Sequence, residues 1–146
     1  MIEERLKELG ISLSNEHHGC TVQCKRWKDL LFISGTLSTL KGKAGGELGQ
    51  EELHSAGKEI AAKVFSAIRY EVGNLDRVEC FVRCLGYINS TGDFSDLPAA
   101  MNGFSNVLTA VFGSCGKHTR AAVGAAELQG CAAMVVNVIV QLKEGS

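Results

Sequence analysis

The stretch "KHTRAAVGAAELQG", residues 117 to 130, sets an arginine at the head of a run of small apolar residues. A guanidinium is rarely enclosed by such a run unless something there needs its charge. Arg120 carries a rigid fork of N–H donors, the shape that binds a carboxylate through two parallel hydrogen bonds, and a partly dry cleft strengthens both. An acid held in this way would present its neighbouring carbon at a fixed place for attack by water. His118, two residues earlier, shares the strand face of Arg120 if the strand starts that early; otherwise it is a solvated loop histidine, the simpler reading. The competing structural role for Arg120 is a salt bridge between subunits, to Glu127 or another acid.

The six cysteines are the other residues with chemistry to offer. None stands in a C-x-x-C pair: Cys20 and Cys24 are four apart, as are Cys80 and Cys84, while Cys115 and Cys131 stand alone. If residues 78 to 85 are extended, Cys80 and Cys84 point to one face ~13 Å apart and can neither pair nor share an ion. The cysteines therefore read as small core residues of a reducing compartment rather than disulfides or metal ligands. His17 and His18 beside Cys20 are the one hint of a ligand cluster, and solvated loop histidines are the plainer explanation. No metal and no cofactor is expected. "KGKAGGELG", residues 41 to 49, lacks the G-x-x-x-x-G-K-[ST] spacing of a phosphate cradle, and reads as a mobile loop.

Periodicity supplies the elements that must hold these groups. "IEERLKEL" places Ile2, Leu6 and Leu9 near one helical face, with Gly10 as the stop. "TVQCKRW" and "DLLFISGTL" are two short strands about a turn at Lys28 and Asp29, the second carrying Ser34 and Gly35. From Gln50 to Gly73, apolar residues at 53, 56, 60, 64, 68 and 72 predict a long amphipathic helix. "RVECFVRCLGYIN" alternates Val78, Cys80, Val82 and Cys84 on one face with Glu79, Phe81, Arg83 and Leu85 on the other. "DFSDLPAAMNGFSNVLTAVFG" is a second long helix, with Pro98 early, where its missing N–H costs nothing. "TRAAVGAAEL" and "CAAMVVNVIVQL" are closing strands separated by a turn at Gln129 and Gly130.

The succession helix, strand, strand, helix, strand, helix, strand, strand is packed most economically as an α+β fold, a sheet with two helices on one face. Met134 to Val140 is apolar on both strand faces apart from Asn137, so the face without helices needs a cover. Self-association through that face is expected.

At 146 residues, with 45% apolar content and one proline, the chain fits one domain, residues 1–146. Fifteen basic against sixteen acidic residues create no field that would draw nucleic acid. "MIEERLKELG" fits neither a secretory signal nor a transit peptide, and "CAAMVVNVIV" is far short of the ~20 residues of a membrane helix. A soluble cytoplasmic protein is the expectation.

"TVQCKRWKDLLFISGTL", "DFSDLPAAMNGFSNVLTAVFG" and "HTRAAVGAAEL" together resemble, in order and spacing, the RidA/YjgF family, also called endoribonuclease L-PSP or reactive-intermediate imine deaminases. The resemblance spans roughly residues 20 to 142, is sharpest at Ser34-Gly35, at "MNGFSN" with Asn102 and at "HTRAAVG", and points to a subgroup of longer chains, with residues 1–19 as an N-terminal extension. It implies a chorismate-mutase-like fold with a mixed sheet, assembled as a homotrimer with sheets inward and a cleft between each pair of subunits. In active relatives the arginine at the position of Arg120 grips the carboxylate of a small imine or enamine, such as 2-aminoacrylate or 2-iminobutanoate, which is hydrolysed to a 2-keto acid and ammonia. Arg120 is accordingly the expected catalytic residue, with Ser34, Gly35, Thr21, Asn102, His118 and Asn137 in the same binding cleft.

The pattern also departs from the family. The position of the family's water-holding glutamate is Val135, and Asn137, one pair further along the strand, cannot take a proton. Thr21 stands for a cleft tyrosine, Ala122 for a cysteine and Gln129 for a proline. Two readings stay open: a deaminase with altered chemistry, and a non-catalytic trimer that binds a small carboxylate metabolite. Ribonuclease activity, carried by the family's name, ranks last, since the near-neutral charge does not favour binding a phosphodiester chain.

Overall fold

A computed structural model of the chain describes residues 1–13 and 22–145. Along the chain run α1 (Ile2–Glu8), β1 (Cys24–Trp27), β2 (Leu30–Leu37), α2 (Gln50–Val72), β3 (Val78–Asn89), α3 (Leu97–Phe112), β4 (Thr119–Ala125) and β5 (Met134–Leu142). The expected succession and the α+β class are both present. Thr21, Cys20, His17 and His18 lie outside the described residues.

The five strands form one mixed sheet in the order β1-β2-β5-β3-β4. β1 and β2 make a hairpin about Lys28 and Asp29, with Lys28 in the left-handed region at φ 54°. β5 lies antiparallel to both β2 and β3, while β4 runs parallel to β3 at the sheet edge. The turn at Gln129 and Gly130 therefore does not join neighbours: β3 lies between β4 and β5. As an edge strand β4 is exposed or half-exposed throughout the single chain, not the buried strand its composition suggests.

The expected face of α2 is the observed one: Leu53, Ala56, Ile60, Val64, Ile68 and Val72 are all buried. They meet Leu31, Ile33, Val136, Val138 and Val140 on the helix side of the sheet, and Phe65, Phe81 and Phe112 stack edge-to-face at its centre. α2 and α3 touch backbone to backbone. A methyl on Gly103 would lie 2.4 Å from the His54 carbonyl oxygen, and one on Gly57 would lie 2.5 Å from the Phe104 nitrogen. A bond of 2.8 Å between His54 Nε2 and the Ala99 carbonyl fixes the same crossing.

Two expectations are corrected. Strict alternation fails along β3, because register shifts after Val78 and after Phe81 each change which side the next residue faces. Phe81 and Cys84 consequently both enter the core, and Cys80, bonded through Sγ to Gln141 Oε1 at 3.6 Å, faces the other way. The 41–49 loop is held rather than mobile: Ala44 is fully buried, its N–H reaches the Asn89 carbonyl at 2.8 Å, and its own carbonyl accepts from Thr91 at 3.0 Å.

Cysteine placement is also more varied than a core role allows. Cys84 is buried, Cys24 and Cys80 are half-buried, and Cys115 and Cys131 are exposed thiols. Burial pushes the Cys84 thiol up to about 12 against the opposing pull of Arg120, and burial beside Glu71 does the same for Cys24. No helix among the described residues is long and apolar enough to cross a membrane.

Candidate functional site

The Arg120 guanidinium is oriented by α3. Arg120 pairs with Cys84 across the β3–β4 ladder, so it points to the helix side of the sheet, at the open edge. Its Nη1 donates to Asn102 Oδ1 at 2.9 Å and to Ser105 Oγ at 3.2 Å. Asn102 and Ser105 are three apart on α3 and so share a face, at a height fixed by the Gly57–Gly103 crossing. Both partners are neutral. The ion pairs among the described residues do not include Arg120, and Glu127 is exposed and unlinked to it within the chain.

His118 is half-buried and bonded on both ring nitrogens, which corrects its reading as a solvated loop residue. Nδ1 lies 2.7 Å from the Gly116 carbonyl and Nε2 lies 3.0 Å from Ser105 Oγ, with Phe104 edge-on to the ring at 6.5 Å. Asn102, Ser105, His118 and Arg120 thus form one connected polar cluster, tied at one end to the Gly113–Gly116 3-10 turn.

Ser34, Gly35 and Asn137 belong to a different place. They line a cavity of about 410 Å³ on the helix-free face of the sheet, with Lys25, Phe32, Arg83, Leu85 and Ile139. A β-bulge between Ile33 and Thr36 sets Ser34 and Gly35 against Asn137, and a methyl on Gly35 would lie 3.0 Å from both Asn137 Oδ1 and Val135 Cγ1. Any larger residue at this position would press on the Asn137 amide and the Val135 side chain. Ser34 Oγ donates to the Val22 carbonyl at 2.8 Å. Among the described lining residues are two cations, Lys25 and Arg83, and no carboxylate.

One chain therefore does not assemble the predicted cleft. Arg120 with Asn102 and His118 faces the helix side on β4, whereas Ser34, Gly35 and Asn137 face the other side on β2 and β5. β2 and β4 are three strand spacings apart, ~14 Å. Sequence reasoning also missed Ser105, Lys25 and Arg83. Ser105 was within reach of it, because it falls one helical turn after Asn102 in "MNGFSN". Lys25 and Arg83 needed the strand register, which the bulges on β2 and β3 alter. Among the described residues no group of three or more His, Cys, Asp or Glu side chains could hold a metal ion.

No family model matches the chain. It is 34% identical over 119 residues to Protein TCP17 of Trypanosoma cruzi, covering 77% of this chain and 74% of that protein. Among solved structures, Atu1372 of Agrobacterium tumefaciens, a protein of unknown function, superposes with a TM-score of 0.91 at 28% identity, over 97% of this chain and 94% of the other. RidA of an Antarctic Psychrobacter superposes with a TM-score of 0.58 at 19% identity, over 88% of this chain and 94% of the other, a likeness of fold. The chorismate-mutase-like architecture, the arginine set against α3 and these relatives agree with the resemblance in "MNGFSN" and "HTRAAVG": the chain belongs to the RidA/YjgF family.

Proposed function

We propose that the protein binds small 2-imino acids of the 2-aminoacrylate and 2-iminobutanoate type through Arg120 and hydrolyses them to 2-keto acids and ammonia. One observation carries this reading. Arg120 is held by two neutral oxygens on a single nitrogen, and no carboxylate among the described residues forms an ion pair with it. Its charge and its other donors are left for an incoming acid, and the held nitrogen fixes the plane of the fork.

The second half of the cleft comes from another copy in this proposal. The helix-free face exposes Trp27, Phe32 and Val123 and contains the cavity of Ser34 and Asn137, so a partner copy would cover the apolar surface and bring that cavity toward Arg120. The homotrimer of the family is the assembly that closes such an arrangement.

The test is to generate 2-iminobutanoate with a threonine dehydratase and follow release of the keto acid, with wild type and Arg120→Ala. Acceleration that the substitution abolishes supports the reading, and its absence in the wild type overturns turnover. A specific observation favours a second reading, a carboxylate binder without chemistry: Val135 stands where the family has its glutamate, half-buried between Leu37 and Tyr87. Thermal stabilisation by 2-oxobutanoate without acceleration would select it.

A further inference from the structure

Hydrolysis without a glutamate at position 135 needs a base elsewhere, and the cluster around Arg120 contains one. A carbonyl oxygen only accepts, so the 2.7 Å contact with Gly116 puts the proton on His118 Nδ1. Nε2 is then an acceptor, and the Ser105 hydroxyl at 3.0 Å donates to it. The Ser105 oxygen in turn accepts from Arg120 Nη1 at 3.2 Å. Every donor in this line has an acceptor, and the line runs from the guanidinium to a backbone carbonyl. An imidazole whose Nδ1–H is fixed by an acceptor and whose Nε2 faces a hydroxyl is arranged as in base-activated serine sites. Ser105 and His118 are both half-buried rather than sealed in the core.

We propose that Ser105 and His118 form a proton relay that serves the ligand held on Arg120, with His118 as the general base and Ser105 as the hydroxyl through which it acts. The proposal rests on Arg120 as the carboxylate anchor. In a 2-imino acid the reacting carbon is bonded directly to the carboxylate carbon, so a ligand on the guanidinium presents that carbon beside the Ser105 oxygen. A water oxygen bonds to the iminium carbon while the C=N π pair moves to nitrogen. The water proton passes to Ser105 Oγ as the Ser105 proton passes to His118 Nε2. The carbinolamine nitrogen then takes the proton back through Ser105. The C–N bond breaks with its electron pair on ammonia, and an oxygen lone pair closes the carbonyl. The carbonyl's remaining proton leaves with ammonia as ammonium, so iminium and water become keto acid and ammonium with no other reactant.

The groups around His118 are few. Ser105 and Phe104 face it from α3 and Gly116 from the turn; Arg120 stands beyond Ser105 on β4, Cys84 pairs with Arg120 on β3, and Lys117 precedes it in the chain.

The experiment compares wild type, His118→Gln, Ser105→Ala and Arg120→Ala for 2-oxobutanoate binding and for keto-acid release from 2-iminobutanoate across pH 5 to 9. His118→Gln keeps a hydrogen-bonding partner for Ser105 but cannot take up a proton. It is expected to stay folded and bind 2-oxobutanoate within about threefold of wild type, while release falls about 10²-fold and the acidic limb of the pH profile disappears. Ser105→Ala is expected to lose release with the same retention of binding. Release and pH profile of His118→Gln matching wild type would overturn the relay, as would a wild type that binds 2-oxobutanoate without accelerating hydrolysis. Wild type and Arg120→Ala alike in failing to bind would overturn the anchor, and the relay with it.

Discussion

Asn102 Oδ1 and Arg120 Nη1 are 2.9 Å apart, the shorter of two bonds that tie the middle of α3 to the edge strand β4. It fixes one nitrogen of the fork without spending the charge, because a side-chain amide is neutral. Loss of the amide leaves the guanidinium on the longer Ser105 bond alone, so it is less well ordered and binding must order it further. Asn102→Ala is expected to lower 2-oxobutanoate affinity about tenfold, the worth of one charge-assisted hydrogen bond. Arg120→Lys is expected to weaken it further, since an ammonium keeps the charge but not the fork. Calorimetric titration of the two variants checks both outcomes.

The height of Asn102 and Ser105 on α3 depends on a crossing that admits no Cβ. Alanine at an ordinary helical glycine stabilises by up to ~1 kcal/mol. At Gly103 the added methyl would meet the His54 backbone at 2.4 Å, and no flexible side-chain end is there to yield. Gly103→Ala is expected to cost about 2 kcal/mol or more, and to weaken ligand binding in proportion as α3 shifts. Gly92→Ala is the control: nothing lies within 4 Å of its added methyl, and its stability should stay within ~0.5 kcal/mol of wild type. Urea denaturation distinguishes the two.

Much of this was legible in the residues, and what was not has physical causes. The apolar period of α2 named six positions and all six are buried, since a helix buried along one stripe writes 3.6-residue spacing directly into the chain. β3 was misread because a bulge changes parity without leaving a mark in composition. The 41–49 loop carries four glycines, yet its backbone bonds to Asn89 and Thr91 are made with residues more than 40 positions away. Arg120 stood out by charge against its neighbours. Its separation from Ser34 and Asn137 depends on strand order, which no local pattern encodes.

Glu59 gives the fold a pH-dependent tie between α2 and the end of β2. Burial would raise its carboxyl, but hydrogen bonds from Lys63 and Thr39 outweigh that and hold it below the ordinary carboxylate value. Lys63 Nζ lies at 2.6 Å, and Thr39 donates through its N–H at 3.0 Å and its hydroxyl at 2.7 Å. A folded pKa below the unfolded one means that the contribution is present above the unfolded value and is lost as pH falls through the folded one. Glu59→Gln is expected to lower stability at pH 7 by a few tenths to about 1 kcal/mol, given the pair's partial exposure. The difference should shrink toward zero as the pH falls below ~4. Thermal melts of both proteins from pH 3 to pH 7 check the trend.

Thiol reactivity should follow burial. Cys115 and Cys131 are exposed, whereas Cys84 is buried and its thiol is pushed up to about 12, which leaves almost no thiolate at neutral pH. Native protein treated with a thiol-specific alkylating reagent is expected to modify Cys115 and Cys131 well before Cys84, with Cys84 reacting only on unfolding. Peptide mapping after timed quenching measures the order, and early modification of Cys84 would contradict its place in the core.

The helix-free face of the sheet joins the site to assembly. Phe32 is 41% exposed in the single chain and pairs across the sheet with Ile139 on β5, on the face that contains the cavity of Ser34 and Asn137. If another copy covers this face, a lysine at position 32 would bring a charge into an apolar contact, where it would have to be desolvated without a partner. The helix side would be untouched, because the core behind β2 is made by Leu31 and Ile33. Phe32→Lys is therefore expected to shift the protein toward a folded monomer with native far-ultraviolet circular dichroism. It should also weaken stabilisation by 2-oxobutanoate at least tenfold, although Arg120 is unchanged, because half of the cleft has departed. Sedimentation velocity alongside ligand-induced thermal shift tests the pair of outcomes. A monomeric variant that keeps full ligand stabilisation would mean that the Arg120 cluster binds on its own and that the shared cleft is wrong.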